Sequence, residues 1–473
     1  MIRSSLAPFR MWPPLALGLA WLGLLGLIPN RAPAADPPQG RRPNILFLFT
    51  DDQRADTIHA LDNPTIQTPN LDRLAQAGFV FRNTYCMGGN VPAVCLPSRT
   101  MLLSGRSLFH LKDLTPDAPT LPKSLRAAGY LTYHHGKKGN SPHQIHRQFD
   151  QSHYLTSDDQ ERRSGYPGRE IANDAIRFLR GYQKDNPFFM HLAFANPHDP
   201  RVVNPEDRSR YDEHSMPLPQ NFQPLHPFNN GELTIRDEAL APWPRSPKEI
   251  RRHLTDYYGV ITHLDAEIGR ILKVLEEIGE YDNTIILFSS DHGLALGSHG
   301  LMGKQNLYED GMKVPLIFAG PGIPKGQSDA FAYLYDIYPT ICDLVGAPIP
   351  EEIDGQSLAP ILRGKAEGVR DAVFLAYRDV QRAVRQGDWK LIRYPQINKT
   401  QLFNLKDDPG ETKDLADDPR YADRVRGLMA LLEEQQRVFN DHQALTSEHP
   451  QPAEVDESFF RKNIPTKAKK RSR

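Results

Sequence analysis

Two stretches of this sequence place acidic side chains directly after a run of apolar residues. Asp51 and Asp52 follow the run NILFLFT. Asp291 and His292 follow the run NTIILFSS, far away in the chain. Continuous apolar runs of this length indicate strands buried on both faces, and ligands bind at the carboxyl ends of such strands. One acidic pair would indicate only a turn, but carboxylates brought together from two strands need a cation, so the pattern predicts a divalent metal site.

A third segment combines a cysteine with an arginine near the start of a short helix. Cys95 lies just before a helical pattern over residues 98–104, and Arg99 lies in the first turn of that pattern. The first turn of a helix offers free N–H groups and the positive end of the dipole, which favour an anion. The guanidinium of Arg99 adds a fixed, forked cation. A single cysteine is most often a small buried apolar residue, so the thiol by itself does not indicate catalysis.

These motifs resemble a known family. The segment CLPSRTMLLSGR, residues 95–106, is similar to the signature of the formylglycine-dependent sulfatases, which are type I, arylsulfatase-like members of the alkaline-phosphatase-like superfamily. Five further segments resemble this family in the same order along the chain: Asn44–Asp52, Thr68–Gly78, Leu192–Pro200, Ser290–Leu316 and Leu402–Leu415. The resemblance therefore covers nearly the whole chain after its N-terminal segment.

The resemblance implies a specific chemistry at Cys95. In this family the signature cysteine is oxidised by a dedicated enzyme to Cα-formylglycine (3-oxoalanine). One hydroxyl of the hydrated aldehyde attacks sulfur, and proton loss from the second hydroxyl expels sulfate and restores the aldehyde. The cation that the resemblance implies is Ca²⁺ in most relatives. Its implied ligands are Asp51, Asp52, Asp291, His292 and the formylglycine made from Cys95.

The resemblance also implies which residues handle the sulfate group. Arg99 would stabilise the nucleophilic oxygen together with the metal, and Lys137 would contact the sulfate and hold the hydrate. His198 and Lys304 would bind sulfate oxygens and protonate the departing alkoxide. The implied catalytic residues are therefore Cys95, Arg99, Lys137, His198 and Lys304.

Two positions depart from the family pattern. Many relatives have Asn where this chain has His292, and an imidazole nitrogen is a poorer ligand for Ca²⁺ than an amide oxygen. We retain His292 as a ligand because histidine does occur at this place in the family. The alternatives are that the metal is Mn²⁺ or Mg²⁺, or that His292 stands behind the direct ligands.

The second departure concerns the base that deprotonates the hemiacetal. The usual Gly-Lys-Trp-His is GKKG here, so Gly139 replaces the histidine commonly assigned to that step. Nearby histidines that would replace it are His134, His135, His143 and His146. For each of these histidines considered alone, a role in packing or simple exposure to solvent is favoured over catalysis. A group other than histidine is the remaining alternative for the base.

Three other residues carry expectations of smaller consequence. His299 lies near the site in sequence, and packing is favoured over contact with substrate. Cys86 and Cys342 remain once Cys95 is modified. They would form one disulfide in an oxidising compartment or remain two buried thiols, and the sequence leaves both alternatives open.

The composition and the N-terminus indicate where the protein acts. The chain has 473 residues, with 57 Lys and Arg against 58 Asp and Glu, a balance that argues against general nucleic-acid binding.

Residues 1–35 combine arginines, an apolar run interrupted by glycine and an Ala-Pro-Ala-Ala exit, which is typical of a secretory signal peptide. An uncleaved anchor is the alternative, but the run is shorter than the ~20 residues of a membrane span. We therefore expect an exported protein, periplasmic or secreted, with no stable membrane anchor.

The pattern of apolar segments predicts the fold class and the domain organisation. Strand-like runs alternate with helical patterns over residues 36–365, which predicts an α/β domain with a mixed, mainly parallel sheet between helices. The resemblance implies that this domain has the alkaline-phosphatase-like fold. Residues 366–445 are predicted to form a smaller C-terminal α+β subdomain that contains an antiparallel sheet. Residues 446–473, which end in a basic stretch, are predicted to be a disordered tail.

One long loop is expected to wall the substrate pocket. Residues 197–247 contain ten prolines and little periodicity, which is typical of a functional loop. The rings that this loop offers for stacking on a sugar are Tyr211, Phe222, Phe228 and Trp243, and the groups that it offers to further anions are Arg201, Arg208, Arg210 and His226.

The residues and the resemblance together predict an exported sulfatase that hydrolyses sulfate esters, of carbohydrates rather than of small aryl alcohols. Its partners would be the sulfated substrate and, during maturation, a formylglycine-generating enzyme. One alternative is a phosphomonoester or phosphonate hydrolase of the same superfamily, because the cation and the tetrahedral anion are shared. Another is a sulfated-glycan-binding protein whose catalysis has lapsed, which the missing histidine at position 139 would allow.

Overall fold

A computed structural model of the chain describes residues 41–456 and 458–460, apart from the side chain of His143. The predicted signal peptide and the basic end of the predicted tail, residues 461–473, lie outside these residues. Within the described part of the chain, no helix is long and apolar enough to cross a membrane.

The described residues form fourteen strands and twelve α-helices. The strands are β1 (Asn44–Thr50), β2 (Phe79–Tyr85), β3 (Gly88–Gly89), β4 (Leu131–Gly136), β5 (Gln151–Tyr154), β6 (Phe188–Ala193), β7 (Thr284–Ser290), β8 (Lys313–Val314), β9 (Leu316–Ala319), β10 (Gly326–Tyr333), β11 (Ala372–Tyr377), β12 (Gln381–Gln386), β13 (Trp389–Tyr394) and β14 (Lys399–Asn404). The helices are α1 (Pro69–Ala77), α2 (Cys95–Ser104), α3 (Leu121–Ala127), α4 (His143–His146), α5 (Asp158–Arg163), α6 (Arg169–Gly181), α7 (Pro205–Arg208), α8 (Pro247–Glu277), α9 (Glu309–Met312), α10 (Ile337–Val345), α11 (Ala359–Leu362) and α12 (Ala422–Val438).

Nine strands form one mixed sheet in the order β10-β2-β9-β7-β1-β6-β4-β5, with β8 paired to β2. Five of its pairs are parallel: β1 with β6, β1 with β7, β4 with β6, β4 with β5, and β2 with β10. Strand β9 runs antiparallel to both β7 and β2. This arrangement confirms the predicted mixed, mainly parallel sheet. Because Thr50 pairs with Ser290 in register, the residues that follow β1 and β7 emerge side by side.

Successive residues of β1 point into two different cores, which explains why its sequence is apolar throughout. Leu46 and Leu48 belong to a cluster with apolar residues of α1, α6 and α8. Phe47 and Phe49 belong to a larger cluster with residues of α2, α3 and α10. Helices therefore cover both faces of the sheet, and the sheet edge at the carboxyl ends of β1 and β7 is left for the site.

A second sheet follows in the C-terminal part, in the order β14-β13-β12-β11-β3. Its pairs are antiparallel except that β3, from the N-terminal part of the chain, runs parallel to β11. The predicted smaller antiparallel sheet is therefore confirmed. Apolar residues of both sheets, Leu316 and Leu391 among them, belong to one continuous core.

Two local details differ from the sequence analysis, and a third decides between the two alternatives that it left open for Cys86 and Cys342. Phe460, which lies in the predicted disordered tail, is buried and stacks on Trp243. Helix α2 begins at Cys95 rather than at Ser98, because the N–H of Ser98 already donates to the carbonyl of Val94 at 3.1 Å. Cys86 and Cys342 are separate buried thiols rather than a disulfide. Burial raises the pKa of each of these thiols to about 12, so both remain protonated.

Candidate active site

The carboxyl ends of β1 and β7 bring Asp51, Asp52, Asp291 and His292 together, as their positions in the sequence predict. The backbone N–H of Asp52 donates to Oδ1 of Asp291 at 3.1 Å, across the two strands. All four residues are buried, with at most 2% of their surface exposed. The two distant segments of the chain therefore meet in one buried acidic group.

Cys95, in the first turn of α2, lies in the middle of this group. Its Sγ is 3.1 Å from Nε2 of His292 and 3.5 Å from Oδ1 of Asp51. Nζ of Lys304 donates to the same sulfur at 3.2 Å. Burial first, and then the charge of Asp51, raise the pKa of this thiol well above its usual value, so the unmodified side chain is a protonated and weakly nucleophilic thiol.

Three cations balance the three carboxylates. Arg99 donates to Oδ2 of Asp291 through Nε and to Oδ2 of Asp51 through Nη2, both at 3.0 Å. The remaining cations are Lys137, which pairs with Asp51, and Lys304, which pairs with Oδ1 of Asp52 at 2.8 Å. We call these side chains, with Cys95 and His292, the Cys95 centre; its members are Asp51, Asp52, Cys95, Arg99, Lys137, Asp291, His292 and Lys304.

The charges of the Cys95 centre fix its protonation states. Burial by itself would raise the pKa of Asp51, but the charges of Lys137 and Arg99 outweigh it and hold the pKa well below the usual value. The pKa of Asp52 falls to about 2, since His198 and Lys304 outweigh its burial. The pKa of Lys304 is raised well above its usual value, because Asp52 opposes the effect of burial. Near neutral pH both carboxylates are therefore ionised and Lys304 carries its full charge.

The donor atoms of this centre fit a divalent cation. One donor atom from each of Asp51, Asp52, Cys95 and His292 lies within 4.8 Å of the others. Nδ1 of His292 lies 2.9 Å from the carbonyl oxygen of Gly293, a contact suited to a ring N–H. The lone pair of Nε2 then faces Oδ1 of Asp52 and Oδ1 of Asp291, each 3.5 Å away. Nε2 of His292 therefore points into the centre.

His198 lies at the edge of the centre. Its Nε2 is 4.0 Å from Oδ2 of Asp52. Its Nδ1 is 2.7 Å from the carbonyl oxygen of Asp199 and 3.1 Å from Nη1 of Arg162. The sequence analysis does not predict the contact with Arg162, because Arg162 lies on α5 and nothing in its sequence neighbourhood indicates a site.

The position of the histidine that is missing from the family motif lies away from the centre. Gly139 is exposed, and its N–H donates to Oδ2 of Asp158 at 2.6 Å. Of the histidines named as replacements, His135 pairs with Asp174 at 2.8 Å, and His134 stacks on His146 with ring centroids 4.0 Å apart. The side chain of His143 is outside the described part of the structure. The described contacts of the other three therefore fit packing roles.

Most of the loop residues expected to face substrate are used inside the protein. Phe228 packs edge-on against Tyr394, and Trp243 stacks on Phe460 at 4.8 Å. The other members that are engaged internally are Tyr211 with Thr262, Arg208 with Glu213 and Asp256, Arg210 with Asp207, and His226 with the carbonyl of His299. His299 itself stacks on Tyr308 at 3.8 Å, as a packing residue does. Arg201 donates to the carbonyl of Pro197 at 3.1 Å and lies over the ring of Tyr257 at 5.4 Å, but no carboxylate of the described residues forms an ion pair with it.

The chain is similar to known proteins over most of its length. Residues 43–347 match the family described as Sulfatase, and residues 297–438 match the family described as N-sulphoglucosamine sulphohydrolase, C-terminal. The N-acetylglucosamine-6-O-sulfatase of Bacteroides thetaiotaomicron is 30% identical, over 85% of this chain and 88% of that protein. The choline-sulfatase of Rhizobium meliloti is 30% identical, over 80% of this chain and 83% of that protein.

Two solved structures share this fold. One is a protein in complex with its substrate D-glucosamine-2-N,6-O-disulfate; it is 26% identical, with a TM-score of 0.70 over 85% of this chain and 99% of that chain. The other is the phosphonate monoester hydrolase of Silicibacter pomeroyi, which is 23% identical, with a TM-score of 0.70 over 88% of this chain and 99% of that chain. At that identity the second likeness concerns the fold alone.

Proposed function

Because this chain belongs to the sulfatase family and is a sulfuric ester hydrolase, we propose that it releases sulfate from sulfated carbohydrates through a formylglycine at position 95 and a divalent cation beside it. The observation that carries this proposal is the position of Cys95 Sγ, within 3.5 Å of an aspartate, a histidine and a lysine in one buried centre. The names of the relatives support a carbohydrate substrate, since they include an N-acetylglucosamine-6-O-sulfatase and a delta 4,5-hexuronate-2-O-sulfatase.

The cation would be held by Asp51, Asp52, Asp291, His292 and the modified side chain at position 95. The donor set supports this assignment, because donor atoms of Asp51, Asp52, Cys95 and His292 lie within 4.8 Å of one another, and Oδ1 of Asp291 lies 3.5 Å from Nε2 of His292. When bound, a divalent cation polarises the oxygens of the sulfate group and stabilises negative charge on the nucleophile. We expect this cation to be Ca²⁺. Mn²⁺ is the alternative, because it accepts a nitrogen ligand such as His292 more readily than Ca²⁺ does.

The pKa of Cys95 supports the need for its modification. A thiol that burial keeps protonated is a weak nucleophile. When formed, formylglycine supplies one hydroxyl to attack sulfur and a second that lets the side chain release sulfate, which neither a thiol nor a serine supplies. We propose that a formylglycine-generating enzyme makes this change and that residues 1–35 direct export to the periplasm or the medium.

The chain's own cations would receive the sulfate group. Three carboxylates already balance Arg99, Lys137 and Lys304, so a bound divalent cation leaves the centre positive and attractive to a sulfate ester. Nη1 of Arg99 is buried and has no hydrogen-bond partner among the described residues, so it is free to donate to an anion. Lys304 lies 3.2 Å from Sγ and would donate to a sulfate oxygen. Lys304, or His198 in its protonated form, would give a proton to the departing alkoxide.

The test compares one chain prepared in two ways, with and without co-expression of a formylglycine-generating enzyme. Intact-mass spectrometry measures the conversion of the Cys95 thiol to an aldehyde in each preparation. We expect sulfate release from sulfated saccharides by the converted protein only, with aryl phosphate hydrolysed far more slowly than aryl sulfate. Equal sulfate release by both preparations would rule out the formylglycine mechanism, and faster release of phosphate than of sulfate would favour the phosphatase alternative.

The predicted domain limits are part of the proposal. We propose that residues 36–365 form the catalytic domain, residues 366–445 the C-terminal subdomain and residues 446–473 a tail, and that catalysis does not need residues 461–473 of this tail. A chain that ends at residue 460 keeps every described residue. We expect it to match the activity of the full chain, measured as sulfate release.

A further inference from the structure

A cavity lies beside Asp199, the residue that follows His198 in the chain. It has a volume of about 450 Å³ and is walled by α5, by residues 199–202 after His198, and by the N-terminal part of α8. His198 stands between this cavity and the Cys95 centre. Its Nε2 faces Asp52 in the centre, and its Nδ1 faces Arg162 in the wall of the cavity. His198 therefore lies between Asp52, 4.0 Å from its Nε2, and Arg162, 3.1 Å from its Nδ1.

The wall of this cavity is rich in arginine. Its arginines are Arg162, Arg163, Arg201, Arg236 and Arg252. Three of these are neutralised locally: Arg163 by Asp159 at 2.9 Å, Arg236 by Asp199 and by Asp237 at 2.7 Å, and Arg252 by Glu249 at 2.6 Å. Most of the cavity's charge is thus already paired, and the two arginines that remain stand out from the rest.

Arg162 and Arg201 form no ion pair with any carboxylate of the described residues. The polar contact of Arg162 is with Nδ1 of His198, and that of Arg201 is a hydrogen bond from Nε to the carbonyl of Pro197 at 3.1 Å. Nε of Arg162 and Nη2 of Arg201 are buried and have no hydrogen-bond partner within the described residues. A buried N–H group without a partner is costly, so one such nitrogen on each of two half-buried arginines beside a cavity indicates that a ligand satisfies it.

The pKa of His253, which also lines the cavity, is shifted by the same positive charges. Burial, and then the charges of Arg201 and Arg252, lower the pKa of His253 to about 4. His253 is therefore neutral at the pH of ordinary assays, and it adds no charge to the cavity. An anion is the ligand that guanidinium groups bind best, since each guanidinium presents a fork of N–H donors that matches a sulfate or a carboxylate.

We propose that this cavity is a subsite for a second anionic group of the same substrate, bound by Arg162 and Arg201 while the scissile sulfate ester lies at Cys95. This inference rests on the proposed function and specifies its substrate class. The substrate is a sulfated saccharide that carries a further sulfate or carboxylate on the side of the scissile ester that faces His198.

The experiment measures inhibition constants, so that it does not depend on which sulfate is cleaved. Hydrolysis of 4-methylumbelliferyl sulfate by the converted enzyme is the reporter reaction. The competitors form a matched pair, N-acetylglucosamine 6-sulfate with one anionic group and glucosamine 2-N,6-O-disulfate with two; 4-methylumbelliferyl iduronide 2-sulfate brings a carboxylate as the second anion. We expect a competitor with two anionic groups to bind about tenfold more tightly than the monosulfate.

Arg201→Gln is the informative variant, because Arg201 contacts a backbone carbonyl and not a member of the Cys95 centre. We expect it to bring the ratio of inhibition constants close to one, and Arg201→Lys to restore part of the preference. Arg163→Gln is the matched control from the same wall. We expect this variant to show the same ratio of inhibition constants as the enzyme without a substitution. The disulfate and the iduronide 2-sulfate are each compared with the monosulfate. The one whose inhibition constant is lowered more identifies the second anion as sulfate or as carboxylate.

A ratio near one in the enzyme itself, or an equal ratio in the enzyme and Arg201→Gln, would overturn the subsite. If the enzyme does not hydrolyse the reporter or any sulfated saccharide, the proposed function fails rather than the subsite. Calorimetric titration of the Ca²⁺-loaded protein with the same matched pair then tests the subsite without turnover. Equal affinity for the two saccharides in that titration would overturn it as well.

Discussion

Two buried groups of charges in this protein look alike and differ in what they leave free. The Cys95 centre holds three carboxylates and three cations at the end of the large sheet. The second group, which we call the Glu309 cluster, joins the two sheets through Tyr85, Glu309, Arg385, Lys390 and Glu411. In both, opposite charges lie about 3 Å apart, as in the pairs Lys304–Asp52 at 2.8 Å and Lys390–Glu411 at 2.8 Å.

The difference lies in how the carboxylates are arranged. In the Glu309 cluster, Lys390 lies between Glu309 and Glu411 at 3.0 and 2.8 Å, so a cation of the chain already occupies the space between the acids. In the Cys95 centre, carboxylates that follow two strands each lie 3.5 Å from either the thiol or an imidazole nitrogen, which are ligands and not cations. Burial and shifted pKa values are therefore common to both groups. The Cys95 centre differs because its carboxylates surround metal-ligating groups and not a cation of the chain, and this difference indicates that it is the functional group of the two.

The largest expected effect separates chemistry from folding. Cys95→Ser nearly preserves the shape of the side chain at position 95, but it removes the thiol that the formylglycine-generating enzyme oxidises. We expect sulfate release to fall by about 10³-fold or more, with Tm close to that of the unmodified sequence. Sulfate assays and calorimetry measure the two quantities. A variant that keeps substantial turnover would remove Cys95 from the mechanism.

Removal of the cation tests the other half of the same centre. Dialysis against a chelator is expected to abolish sulfate release and to lower Tm, because a cation that binds the folded chain and not the unfolded chain stabilises the folded state. Elemental analysis of the untreated enzyme should give one divalent ion per chain, and Asp52→Asn should lower that occupancy. Glu411→Gln is the matched change in the other group, and full occupancy in that variant is expected. If Asp52→Asn contains as much metal as the chain without this substitution, the cation is bound elsewhere.

In the Glu309 cluster the expected loss is one of stability. Lys390→Met removes the cation between Glu309 and Glu411 and leaves two buried carboxylates without it. We expect a destabilisation of about 3–5 kcal/mol, measured by urea unfolding, with sulfate release by the folded enzyme little changed. Lys399→Met, which breaks a more exposed pair with Asp414 at 3.7 Å, is the control and should cost about 0–1 kcal/mol.

The smallest expected effect is the pH dependence of the same cluster. Burial, with the charge of Glu309 opposing Lys390, raises the pKa of Glu411 to about 7 from its usual 4.5. The folded state therefore binds a proton that the unfolded state has lost, so stability is fullest below pH 4.5 and falls as the pH rises towards 7. The fall amounts to about 3 kcal/mol at most. Glu411→Gln should flatten this part of the Tm profile, whereas exposed Glu434→Gln should leave it unchanged.

The two regions also differ in how far the sequence predicts them. The sequence predicts the strand ends at Asp51 and Asp291, because an apolar run and the residue after it are local features. It predicts neither Lys390 nor Glu411 as members of a cluster, and it predicts no strand at β2, β10 or β14. Strand β10, GQSDAFAY, is polar and partly exposed along its first half, so it lacks the apolar pattern of the central strands.

The sequence by itself determined the chemistry available to this protein: a cysteine motif, acidic residues after two strands, and a set of lysines and arginines. These are properties of residue type and near neighbours, which local physics and family resemblance both report. The tertiary structure alone decided which groups share a space. It placed Arg162 of α5 against His198, left Arg201 without a carboxylate while Arg208 and Arg210 found theirs, and turned Gly139 towards the surface. Such choices depend on which distant strands and helices pack together, and no short stretch of sequence contains that information.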